Sequence, residues 1–300
     1  MPVPESRAVQ VLDTRHSPSP ALADGACDTH VHLFGPADRY PYAPDRGYLP
    51  PDALPADLRA LHRHLGITRT VLVQPSPYGT DNTRLLAGLQ VLGDAARGIV
   101  VITPGTAPDE LRALDRAGVR GVRVNLGARA ANDLARARER IDATARAIAP
   151  LDWHLDLHLD AAALAAFEDL LPRLPVPVVL DHFAGHRAGT GAETPARILR
   201  LLATGRVWVK LSAPYRVTAG GDYDALAELL TDLLDARADR ALWGSDWPHT
   251  GGSPATRHPD RLQPYLTVDD GLSLSRFAGF LDPDGLRRVL VENPAELYGW

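Results

Sequence analysis

Short runs of aliphatic and β-branched residues recur along the chain, each followed by a longer stretch rich in alanine and leucine. Eight such runs read as strands: Cys27–Phe34, Thr70–Gln74, Gly98–Thr103, Val119–Leu126, His154–Asp160, Val176–Phe183, Val207–Ser212 and Ala241–Asp246. The stretches between them predict helices over Pro51–Leu65, Asp81–Leu92, Pro108–Ala117, Asn132–Ile148, Ala161–Leu171, Pro195–Ala203 and Tyr223–Ala236. Asp81 and Asp109 suit helix starts, where a carboxylate accepts from free N–H groups. Gly66, Gly93 and Gly118 fall where those helices should stop.

Strictly alternating strands and helices imply parallel pairing, because a parallel connection needs a crossover helix. A doubly wound sheet would be expected to carry a phosphate-binding glycine fingerprint, and neither GxGxxG nor GxxxxGK[ST] is present. The expectation is therefore an α/β protein: a single-domain (β/α)8 TIM barrel over residues 25–300, preceded by an extended, proline-containing arm over residues 1–24.

A net charge of −5 without a basic run argues against a nucleic-acid partner. The start of the chain lacks the apolar core of a signal peptide and no run reaches membrane-spanning length, so a cytoplasmic location without membrane contact is expected. Cys27 is the one cysteine, which excludes an intrachain disulfide and a cysteine-based zinc site. Oligomeric state is not legible.

Barrel chemistry sits at the C-terminal strand ends. In the first strand a period of two puts Asp28, His30 and His32 on one face. Two imidazoles so spaced can chelate one metal or polarise one carbonyl. In His154-Leu-Asp156-Leu-His158 the leucines take the outer face and send Asp156 and His158 inward. The sixth strand ends in His182, with Asp181 expected to face the other way as a structural partner. Asp246, closing the eighth strand, is placed to take a proton from water. Valines alternate with Arg123 and Asn125, which aims Arg123 inward, and Arg216 follows the seventh strand. A guanidinium there either pairs with a local carboxylate or clamps a substrate one. Lys210 shares an inward face with Trp208 and Ser212 and has no assigned role; Tyr78, Tyr215 and Trp247 read equally well as packing.

The segments GACDTHVHLFGP, YAPDRGYLPPDA, VLVQPSPYGTDN, GVRGVRVNL, VVLDHFAG, LWGSDWPH and ENPAELYG occur in an order that resembles the amidohydrolase superfamily, particularly its pyrone-dicarboxylate lactonase branch. The resemblance implies that His30, His32 and His182 are the catalytic histidines and Asp246 the general base. It implies that Arg123, Arg129 and Arg216 hold substrate carboxylates and that Tyr48 and Ser76 are further pocket positions. His158 stands where the metal-free lactonase has tyrosine and metal-dependent relatives commonly have histidine. His30, His32, His158, His182 and Asp246 would then form a ligand set for one divalent metal, zinc or manganese. The implied activity is hydrolytic opening of a carboxylated lactone, 2-pyrone-4,6-dicarboxylate or a muconolactone-type ring. The partner is thus a small anionic lactone. The alternatives are a sugar-acid lactonase or lactone isomerase, a non-oxidative decarboxylase of the same superfamily, or a catalytically silent ligand-binding barrel.

Overall fold

The computed structural model describes residues 15–103, 105–126, 133–219, 221, 223–251 and 257–300. Eight strands form one parallel sheet in sequence order: β1 Cys27–Val31, β2 Arg69–Val73, β3 Ala96–Val100, β4 Val119–Asn125, β5 His154–His158, β6 Val178–Leu180, β7 Val207–Lys210 and β8 Ala241–Leu242. The sheet closes on itself at the β8–β1 seam. Thr29 N donates to Trp243 O at 3.1 Å, Asp246 N to His30 O at 2.9 Å, and His32 N to Trp247 O at 2.8 Å. The (β/α)8 barrel read from the sequence is the fold.

Six helices follow the first strands: α1 Pro55–Leu65, α2 Thr83–Leu92, α3 Pro108–Arg116, α4 Leu134–Ile148, α5 Ala161–Phe167 and α6 Glu193–Ala203. The short α7 Pro214–Val217 and the longer α8 Ala227–Arg237 come after β7, and α9 Asp270–Ala278, α10 Pro283–Arg287 and α11 Asn293–Tyr298 close the chain. Helix α1 begins four residues later than its periodicity suggests. Pro55 occupies its first turn, where no N–H is needed, and the Asp57 carboxylate accepts from Leu54 N at 2.9 Å. Its stop is as expected, with Gly66 at φ 75 in the left-handed region. Asp81 also serves as read, its carboxylate accepting from Thr83 N at the start of α2.

Two apolar layers result. The larger lies between strands and helices; the smaller fills the barrel floor with Cys27, Val71, Val73, Ile99, Val179, Trp208, Leu242 and Tyr298. Tyr298 comes from α11, which periodicity alone does not place, and plugs the floor with its side chain fully buried. No helix among the described residues is long and apolar enough to cross a membrane.

One facing assignment is corrected in β1. Asp28 does not share a face with His30 and His32: it turns outward to His62 of α1 at 3.4 Å and accepts from Ser245 N at 2.9 Å. The cause is a register shift. Pairing with β2 advances from Asp28↔Thr70 to Val31↔Leu72, three residues against two, so the extra residue inverts the phase above it.

Candidate active site at the barrel mouth

His30 and His32 rise from β1 above that bulge. Asp181 and His182 come from the end of β6, and Asp246 from the end of β8. His182 has φ 50 and Asp246 φ 61, left-handed values that cost non-glycine residues about 1–3 kcal/mol each and cluster at functional sites. The turn at His182 also explains a second correction. Val179 faces the barrel interior, so alternation brings Asp181 inward as well, and the left-handed residue after it folds His182 back to the same side. Asp181 therefore faces the site rather than away from it.

The arrangement converges on one oxygen. Asp246 Oδ1 lies 3.3 Å from His32 Nε2, 3.6 Å from His30 Nε2 and 3.9 Å from His182 Nε2. Each ring is held from behind through Nδ1. His32 donates to the Val73 carbonyl at 2.8 Å, and His182 meets Ser212 Oγ at 2.9 Å. His30 Nδ1 lies 3.2 Å from Asp181 Oδ1 and 3.3 Å from Lys210 Nζ, so an acceptor and a donor are both at hand and either tautomer finds a partner. The other Asp246 oxygen is occupied: Tyr215 donates its O–H to Oδ2 and Arg216 its Nε–H, while Arg216 Nη2 reaches Thr250 Oγ1 at 2.9 Å.

Electrostatics sort these groups. Burial would raise the Asp246 pKa, but the Arg216 guanidinium and the neighbouring imidazoles outweigh it and hold the carboxyl well below the usual range. Burial pushes His30 well below its ordinary value and lowers His182 to about 4, so both rings are neutral at pH 7 and offer lone pairs. Burial lowers His158 too, with Arg123 adding to the effect.

Below the mouth lies a buried ionic stack. Lys210 Nζ sits 2.6 Å from Asp156 Oδ2 and 3.2 Å from Asp181 Oδ1, with all three side chains fully buried. Arg123 Nη2 pairs with Asp181 Oδ2 at 3.0 Å, and its Nη1 donates to the Gln74 carbonyl at 3.3 Å. Lys210, Asp156 and Arg123 thus point inward as alternation requires. Burial and the charge of Asp181 raise Asp156 to about 7, against the pull of Lys210.

His30, His32 and Asp246 form one group whose donor atoms could share a cation, and His30, Asp181 and His182 form another, all within 4.8 Å of each other. Among the described residues His30 Nε2 and Asp246 Oδ1 are buried without a hydrogen-bond partner, as suits metal-ligand atoms. Neutral imidazoles beside an ionised carboxylate suit a divalent metal, so the residues fit one. His158 belongs to neither group. Its ring stands edge-on to His182 at 5.5 Å, and its buried Nδ1 has no partner among the described residues.

Tyr48 is buried at the mouth, with the Ser76 and Thr250 hydroxyls among the groups acting on its phenol and the Arg257 guanidinium 4.9 Å from its ring centre. Arg129 lies outside the described residues. Thr250 and Arg257 carry no signal of their own in the sequence, since both belong to loops, and Tyr215 sits in α7, which is too short to show a period. Asp181 could have been placed from the inward position of Val179.

An amidohydrolase family model matches residues 27–300. A 4-sulfomuconolactone hydrolase of Rhizobium radiobacter is 36% identical over 285 residues, covering 93% of this chain and 91% of that protein. A 2-pyrone-4,6-dicarboxylate hydrolase of Comamonas testosteroni is 34% identical over 291 residues, covering 92% and 91%. A crystal structure of a probable 2-pyrone-4,6-dicarboxylic acid hydrolase from Acinetobacter baumannii, with citric acid bound, superposes with TM-score 0.73 at 27% identity, covering 92% of this chain and 100% of that one. Fold, mouth histidines and whole-length similarity agree, and the chain belongs to the amidohydrolase family.

Proposed function

We propose that the protein is a lactone hydrolase that opens the ring of a carboxylated substrate. The observation that carries this reading is the meeting of three imidazole Nε2 atoms within 3.3–3.9 Å of one buried carboxylate oxygen of Asp246 that has no other partner among the described residues. The named activities of the relatives, hydrolysis of a sulfomuconolactone and of a pyrone dicarboxylate, support it.

Asp246 takes a proton from a water molecule whose oxygen adds to the lactone carbonyl carbon. His30 and His182, whose Nδ1 atoms can accept from Lys210 and Ser212, then turn an Nε2–H toward the place where negative charge grows on the carbonyl oxygen, while His32, donating through Nδ1, presents a lone pair there. When the tetrahedral species collapses, the bond from the carbonyl carbon to the ring oxygen breaks, and Asp246 returns the proton to that oxygen. The products are a carboxylic acid, which ionises, and a hydroxyl on the same chain. Arg129 holds a substrate carboxylate away from the scissile bond and so fixes orientation, Arg123 and Arg216, paired with Asp181 and Asp246, add only their remaining N–H groups to it, and Tyr48 and Ser76 are further pocket positions. A zinc or manganese ion held by His30, His32 and Asp246, with His182 and His158 beside them, would supply Lewis-acid polarisation of the carbonyl.

The test is a panel of mono- and dicarboxylated lactones assayed with and without chelation and re-addition of zinc or manganese. Hydrolysis of dicarboxylated members is expected, with activity lost on chelation and restored by one of the two ions. Failure to open any lactone under either condition refutes the reading.

A further inference from the structure

The two described arginines expected to bind substrate are already committed within the protein. Arg123 spends both terminal nitrogens on Asp181 and the Gln74 carbonyl, and Arg216 is paired with Asp246 and Thr250. A third guanidinium at the mouth is not. Arg257 lies in the loop after β8, half-buried, with its centre 4.9 Å from the Tyr48 ring. Its Nε donates to the Gly251 carbonyl at 3.4 Å, and among the described residues neither terminal nitrogen has an acceptor and no carboxylate pairs with it.

Its wall is fixed. Gln263 Nε2 holds the Gly251 carbonyl at 2.6 Å, Gln263 N donates to Leu49 O at 2.8 Å, and Thr250 pairs with Tyr265. Arg257 is close enough to Arg216, Asp246 and Tyr215 to interact electrostatically with all three, so it borders the same mouth. A partly desolvated cation with a free bidentate edge, stacked on an aromatic face, is built to receive a delocalised oxyanion.

We propose that Arg257 is a specificity-determining residue that binds an anionic group, carboxylate or sulfonate, carried by the substrate away from its scissile ester. This deepens the lactonase reading and rests on it for the identity of the ring. The protein then selects doubly charged over singly charged planar rings, with Arg257 setting the preference.

Binding tests this separately from turnover. Calorimetric titration with isophthalate and benzoate, matched six-membered rings with two carboxylates and one, should give the wild type at least about tenfold tighter binding of isophthalate, the worth of one charge-assisted pair. Arg257→Met should remove most of that preference, and Arg257→Lys should retain part of it. In the lactone panel the same Met variant should raise KM far more for dianionic members than for their monoanionic analogues. A wild type without the preference, or a Met variant that keeps it, overturns the proposal. Should the preference follow Arg257 while no lactone is hydrolysed, the assignment of Arg257 stands and the lactonase reading falls.

Discussion

Lys210→Met isolates the energetics of the ionic stack beneath the mouth. Methionine matches the lysine stem in length and removes only the ammonium, which lies 2.6 Å from Asp156 and 3.2 Å from Asp181. Asp181 keeps Arg123 at 3.0 Å, so the group left exposed to the change is Asp156, whose Oδ1 has no partner among the described residues. Breaking a buried pair from one side costs about 3–5 kcal/mol, because it strands an uncompensated charge. Replacing the stranded carboxylate as well, in Lys210→Met/Asp156→Asn, should recover about 2 kcal/mol or more, since a neutral amide demands far less solvation. Urea unfolding at pH 8 finds Asp156 of the wild type mostly ionised, since burial and Asp181 raise it to about 7; losing Lys210 raises it further, so the single variant takes up a proton on folding and the contrast widens as pH rises. A single variant within about 1 kcal/mol of wild type would refute the argument, as would a double variant no more stable than the single.

Two further outcomes follow from the barrel floor. Burial, reinforced by Lys210, lowers His154 to about 3, whereas an unfolded histidine titrates near 6.5. The unfolded chain therefore binds the extra proton first: this contribution is complete above pH 6.5 and shrinks as pH falls toward 3, by about 2 kcal/mol at pH 5. Unfolding curves at pH 7.5 and pH 5 should show that loss in wild type and a correspondingly smaller one in His154→Gln; equal losses would contradict it. Tyr298→Ala empties the floor plug and should cost about 3–5 kcal/mol, read as a lowered denaturation midpoint, with a shift under about 1 kcal/mol counting against the packing account.

Apolar strand runs alternating with helical stretches made the barrel legible, and where polar residues line the interior, as in β5, the strand shows a clean period of two. Arg123, Asp156, His158, Lys210 and Ser212 could all be aimed from that period alone. It failed where the backbone departs from ideal strand geometry. The extra residue in β1 reversed Asp28, and the left-handed turn that begins at His182 folded that ring back to the side Asp181 already faced. Such local features leave little trace in composition, since His182 and Asp246 are not the glycines that positive φ values usually attract. Thr250 and Arg257 were invisible for a different reason: loop residues have no period, and their contacts with Arg216 and Tyr48 exist only once the loops have docked, while Tyr215, in the short α7, could not be told from packing.

The central claim is that Asp246 activates water against a ring ester among the mouth histidines. Turnover of a hydrolysed lactone in 18O-labelled water by wild type and by Asp246→Asn measures it directly. The account predicts one labelled oxygen in the new carboxylate and a fall in kcat of at least about a hundredfold in a variant that still folds. A near-normal rate in the variant, or label in the new hydroxyl instead, would contradict it.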